Sequence, residues 1–181
     1  MRWESLFADL EAQFEAEAAR DQASEIQEFV RIERARQTLV QRLARHLGTR
    51  VDVQLLGAER LGGQLSSLGK DWLMLRHGGT EELVPFRALA WWSGREAGRN
   101  PEPGERRVAF SQALRVLVRD RARVGIGGID GQQLASGTLD QVGQDFVEVA
   151  LHERDEFRRA PAVHGRCVIP FSAVARVRRE E

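Results

Sequence analysis

The chain has 181 residues, 42% of them hydrophobic and 30% charged, with 27 basic side chains against 27 acidic and a formal net charge of zero. That length holds one domain or two small ones, and balanced charge supplies no global field to draw the chain onto nucleic acid or acidic lipid. The single cysteine, Cys167, excludes an internal disulfide framework and fits a reducing cytoplasm.

The opening MRWESLFADLE carries acids where a secretory signal needs a basic segment and an apolar core. No apolar run reaches the ~18 residues of a membrane span, so no membrane association is expected. Residues 1–47 read as helix, either one rod or two helices with a joint near Asp21–Ser24. Acids dominate its first half and arginines (Arg31, Arg34, Arg36, Arg42, Arg45) its second, the order that suits the helix dipole. Gly48 is the expected C-terminal stop. Trp3, Phe7, Leu10 and Phe14 recur at spacings of four, three and four, a heptad-like seam. The seam predicts self-association as a homodimer, a coiled coil of paired helices. In an antiparallel pair, Glu11, Glu15 and Glu17 would face Arg31, Arg34 and Arg36 of the second copy.

From Arg50 the apolar period changes to two. Strands are predicted at 51–55, 61–68, 72–76, 83–84 and 89–92, with Gly57–Arg60 and Gly69–Asp71 as turns and Pro85 as a stop. Residues 94–109 carry Gly, Pro and charge without period and read as a linker. The pattern then returns. GQLSSLGKDWLML (63–75) is matched by GTLDQVGQDFVEV (137–149), and LVPFRAL (83–89) by VIPFSAV (168–174). A short helix at 110–118 precedes the second copy as 39–47 precedes the first, and a longer charged loop at 152–166 separates its third and fourth strands. A duplicated β-unit is the reading, with one core from Val53, Leu65, Leu68, Trp72, Leu75, Val84 and Phe86. The other comprises Ile126, Leu139, Val142, Phe146, Val149, Ile169 and Phe171.

A helix followed by five short bent strands with glycine at the bends resembles the Sm-like or SH3-like small barrel. The opening WESLFADLEAQ also resembles the start of proteins of high-GC actinobacteria that carry such a helix before two glycine-punctuated β-units. These resemblances imply an α+β protein: a helical arm at 1–37, a first barrel with its leading helix at 38–93, the linker, and a second barrel at 110–179. The Sm likeness implies RNA binding, through an Asp, an Asn four positions on, and an Arg-Gly pair. Here those positions hold Gly69 and Gly143, Leu73 and Val147, and Val84–Pro85 and Ile169–Pro170, so the base-reading groups are absent.

Other motifs are thinner. Arg115, Arg119, Arg121 and Arg123 form an arginine-rich stretch that suits phosphate contacts. GIGGIDG (125–131) misses the Gly-x-Gly-x-x-Gly spacing and reads as a hairpin. His152, His164 and Cys167 fall short of a zinc set or a Cys–His nucleophile. Asp71 and Asp145 read as equivalent turn residues. Trp92 aligns with Val177 and should face inward. Trp91 aligns with Arg176 and should face outward, a candidate partner anchor unless it packs under the linker or the arm. The expectation is a non-enzymatic protein-interaction or scaffold module without cofactor, metal or small-molecule ligand, its protein partner unnamed. The alternative is an RNA- or DNA-binding regulator using the arginine face.

Overall fold

The computed structural model describes residues 2–97, 108–152 and 165–180, so the predicted linker and long charged loop lie largely outside the described residues. The chain divides into two compact units, Met1–Leu39 and Val40–Glu181.

The first unit is helix α1, Arg2–Arg36, unbroken over 35 residues, with no joint at Asp21–Ser24. A coiled coil is not what it forms. At 100° per residue the Trp3–Phe14 stripe occupies an arc of about 60°, whereas Ile26, Phe29 and Val30 lie on a stripe rotated by roughly 120°. The seam therefore lasts less than two heptads and does not continue along the rod, too short for a sustained heptad repeat.

The unit boundary falls at the start of α2, Leu39–Ala44, and the second unit continues with β1 (Arg50–Leu55), β2 (Arg60–Leu68), β3 (Trp72–His77), β4 (Thr80–Pro85) and β5 (Leu89–Gly94). Helix α3 (Phe110–Arg119) then leads into β6 (Arg123–Gly128), β7 (Gln133–Val142), β8 (Phe146–Leu151), β9 (Gly165–Pro170) and β10 (Val174–Glu180). The strands follow the period-2 pattern: Val51, Val53 and Leu55 on β1 are buried while Asp52 is exposed.

The duplication is visible in backbone detail. Gly69 N–H donates to Trp72 O and Gly143 N–H to Phe146 O, each at 2.9 Å. The Phe86 and Phe171 N–H groups donate to the carbonyls of Asp71 and Asp145. Pro85 and Pro170 each start a single 3-10 turn, at Phe86–Ala88 and Phe171–Ala173. Glycine is required at the β2–β3 and β7–β8 turns, because a Cβ would lie 2.1 Å from the Trp72 indole at Gly69 and 2.3 Å from the Phe146 ring at Gly143.

The two expected Sm-like or SH3-like barrels, at 38–93 and 110–179, are not formed. All ten strands belong to one open antiparallel sheet, in the order β5-β1-β2-β3-β4-β10-β6-β7-β8-β9. Neither copy closes on itself: β4 pairs with β10 of the other copy, Leu83 opposite Val177 and Glu82 opposite Arg178. Among the described residues the architecture is α+β, one large open sheet with three α-helices.

The cores follow the sheet rather than the repeat. One gathers Leu43 of α2 with Val51, Val53, Leu55, Leu65, Leu73, Leu75 and Val84, and takes in Ala175 from the second copy. The other gathers Phe110 and Leu114 of α3 with Val124, Ile126, Leu139, Val147, Val149 and Phe171, and takes in Trp72 and Leu83 from the first. Of the predicted core, Leu68, Phe86 and Val142 are only partly buried at its margins, and Phe146 is half-buried.

Candidate functional site

Two surfaces and one junction hold the side chains of interest. On α1, the large apolar groups face solvent: Trp3 is 72% exposed, Phe7 59%, Leu10 41% and Phe14 68%. Along the same helix Ile26, Phe29 and Val30 are also exposed. Arg31 is paired within the helix to Glu28 at 2.8 Å.

At the junction, first-copy and second-copy side chains interlock. Arg176 Nε donates to both carboxylate oxygens of Glu59 at 2.9 Å, and Arg178 holds Glu82 at 2.6 Å. The Trp72 indole N–H donates to Val108 O at 2.9 Å, and Phe110 N–H donates to Asp71 Oδ1 at 2.7 Å. Asp71 therefore satisfies one of the N-terminal N–H groups that a helix leaves without an internal partner. Phe110 meets Phe171 edge-to-face at 5.4 Å, and the Arg87 guanidinium lies 5.3 Å from the Phe110 ring. The β1–β2 and β6–β7 turns touch: a Cβ at Gly57 would lie 2.4 Å from Gly131 N, so only glycine permits that approach. An apolar groove of about 340 Å³ runs beside the junction, lined by Met74, Leu83, Val116, Leu117 and Val177.

The sequence-predicted residues fall as follows. Trp91 is 43% exposed on β5 with the Arg60 guanidinium 5.7 Å from its ring, while Trp92 packs on the first core. Arg115 and Arg119 are exposed on α3, Arg119 beside Asp120 at 3.2 Å. Arg121 is exposed in the following turn with a positive φ of 50°, and Arg123 is half-buried on β6. GIGGIDG forms β6 and its hairpin turn, not a loop ahead of a helix. His152 is buried with Nε2 2.8 Å from Thr138 Oγ1, and His164 lies outside the described residues. Burial pushes the Cys167 thiol pKa up, the opposite of an activated nucleophile.

Sequence reasoning missed Glu59, Glu82, Arg176 and Arg178. Each reads as an ordinary solvated charge, and only pairing across the copies brings them together. Among the described residues, no cluster of three or more His, Cys, Asp or Glu could hold a metal ion, and no helix is long and apolar enough to cross a membrane. Together these features define, among the described residues, an α+β protein with an open ten-stranded sheet and a charged helix that carries an exposed apolar stripe. Comparison with protein-family models, curated proteins and solved structures found no match to the chain.

Proposed function

We propose that the protein is a non-enzymatic scaffold or interaction module that self-associates through the Trp3–Phe14 stripe of α1. The observation that carries this reading is the exposure of Trp3, Phe7, Leu10 and Phe14 on one face of a 35-residue helix. Burying each such side chain is worth roughly 1.5–3 kcal/mol, so a second copy of the same stripe is a strong ligand for it. Sedimentation velocity compares the full chain with a variant carrying Trp3→Gln, Phe7→Gln, Leu10→Gln and Phe14→Gln. The variant should sediment as a smaller species with its helical circular dichroism retained. Unchanged sedimentation sinks the reading.

A second reading, nucleic-acid binding, draws on the exposure of Arg115, Arg119 and Arg121 around the end of α3. Its signature is affinity for mixed RNA or DNA oligonucleotides that falls steeply with salt. Arg115→Ala with Arg119→Ala would flatten that slope.

A further inference from the structure

The junction inside the chain and the two ends of its sheet are built from the same repeat positions. Strand β4 of the first copy corresponds to β9 of the second, and β10 of the second to β5 of the first, as LVPFRAL and VIPFSAV align. Inside the chain β4 and β10 pair. The remaining members of the set, β5 and β9, are the two end strands of the sheet among the described residues. Burial marks the difference: Leu83 on β4 is 4% exposed, whereas its counterpart Val168 on β9 is 62% exposed.

We infer that β5 and β9 are the two halves of a head-to-tail interface between copies of this chain, β9 of one copy pairing with β5 of the next as β4 pairs with β10. Edge strands usually carry charge or other features that deter pairing. Strand β5, LAWWSG, carries no charged residue. The only charge on β9, GRCVIP, is Arg166, drawn back over its own sheet to Asp140 at 3.3 Å. Transferring the internal register, in which Val177 faces Leu83 and Arg178 faces Glu82, sets Trp92 opposite Val168 and Ser93 opposite Cys167. An apolar pair again meets an apolar pair. The ionic pair is replaced by two uncharged groups, so no carboxylate or guanidinium is buried without a counter-ion.

The neighbouring contacts have counterparts as well. Asp71 and Trp72 hold the start of α3, and their equivalents Asp145 and Phe146 are exposed and half-buried respectively. Phe110, 1% exposed, corresponds to Leu39 through the match of LVQRL to FSQAL, and Leu39 is 43% exposed. The next copy would thus supply α2 where the chain's own α3 sits at the internal junction. Because the two edges differ, the contact is heterologous and extends into a chain or closes into a ring.

Residues facing one another on antiparallel strands have Cα atoms about 4.5–5.5 Å apart, within the ~4.4–6.8 Å that a disulfide spans. The test is the full-length protein carrying Ser93→Cys and keeping Cys167, oxidised with diamide, which takes up the two thiol hydrogens as each disulfide forms. Non-reducing gels and intact mass should show species larger than a dimer, or a dimer closed by two disulfides. The wild type and the Ser93→Cys, Cys167→Ser double variant each have one thiol per chain and stop at a dimer with one disulfide. Products from Ser93→Cys no larger and no more oxidised than these overturn the inference. Val168→Lys should abolish the cross-links without changing the melting temperature; cross-links that survive it overturn the register. The four α1 substitutions placed in the Ser93→Cys background should leave the cross-links intact, and their loss would mean that the edges are no interface in their own right.

Discussion

The turns Gly69–Trp72 and Gly143–Phe146 share a backbone hydrogen bond of the same length and the same need for glycine, yet their rings have different fates. Trp72 is 4% exposed, with its N–H bonded to Val108 O and its ring in the core under α3. Phe146 is half-buried, and Asp145 beside it is exposed where Asp71 holds the Phe110 N–H. Local sequence builds both turns alike. What differs is the cover: the first copy is followed by α3, whose Phe110 and Leu114 pack with Trp72.

The largest test of that contrast is at the leading helices. Phe110→Ala empties a site that is 1% exposed and removes the edge-to-face partner of Phe171. It should cost about 3–5 kcal/mol of unfolding free energy, whereas Leu39→Ala at 43% exposure should cost no more than about 0.5 kcal/mol. Both are read from urea denaturation at low protein concentration. Equal costs would mean that the copies are covered alike.

Next is the capping carboxylate. Asp71→Ala strands the Phe110 N–H and should cost about 1–2 kcal/mol. Asp145→Ala, at an exposed carboxylate, should stay within about 0.5 kcal/mol. A cost for Asp145→Ala that grows with protein concentration would sharpen the comparison, because the inferred β9–β5 association would give Asp145 a helix to hold.

How much of this was legible before the structure divides along the same line. The strands, their glycine turns and the inward Trp92 follow from period, punctuation and internal alignment, which are local properties. Closure is not local. A strand such as β4, TEELVP, reads the same whether its outer edge meets β5 or β10, so a pattern that suggests two barrels is equally compatible with one sheet. The charges that mark the actual neighbour, Glu59 and Glu82 against Arg176 and Arg178, stand far apart in sequence among many similar residues. The apolar stripe of α1 was legible as a stripe. That it jumps to another face after Phe14 follows from the helix running unbroken past Asp21–Ser24, a joint that sequence left open.

The ionic part of the junction gives a smaller effect. Arg176→Ala removes both contacts to Glu59 between partly buried side chains and should cost about 1 kcal/mol. High salt should narrow the gap between wild type and variant, because screening weakens the pair in the wild type alone. A gap that holds at high salt would assign the cost to the packing of the Arg176 stem instead.

The smallest effect lies at Cys167, which stands where the first copy has Glu82. Glu82 is held by the Arg178 guanidinium at 2.6 Å, whereas burial raises the Cys167 thiol pKa, so the fold favours the neutral thiol. For an acid whose folded pKa lies above its unfolded value, the stabilisation is complete below the unfolded pKa. It is lost as pH rises through the folded one. Stability should therefore fall slightly at alkaline pH beyond the ordinary thiol range near ~8.5, and the fall should disappear in Cys167→Ser. Reaction with a chromogenic disulfide reagent checks the same point by rate. The thiolate is the reacting species, so the native protein should react more slowly than the protein in guanidinium chloride across pH 7 to 9, with its rate profile displaced upward. Equal rates would show that the β9 edge leaves this thiol as open to water as in the unfolded chain. Position 167 on β9 would then differ from the paired Glu82 on β4 in charge alone and not in shelter from water.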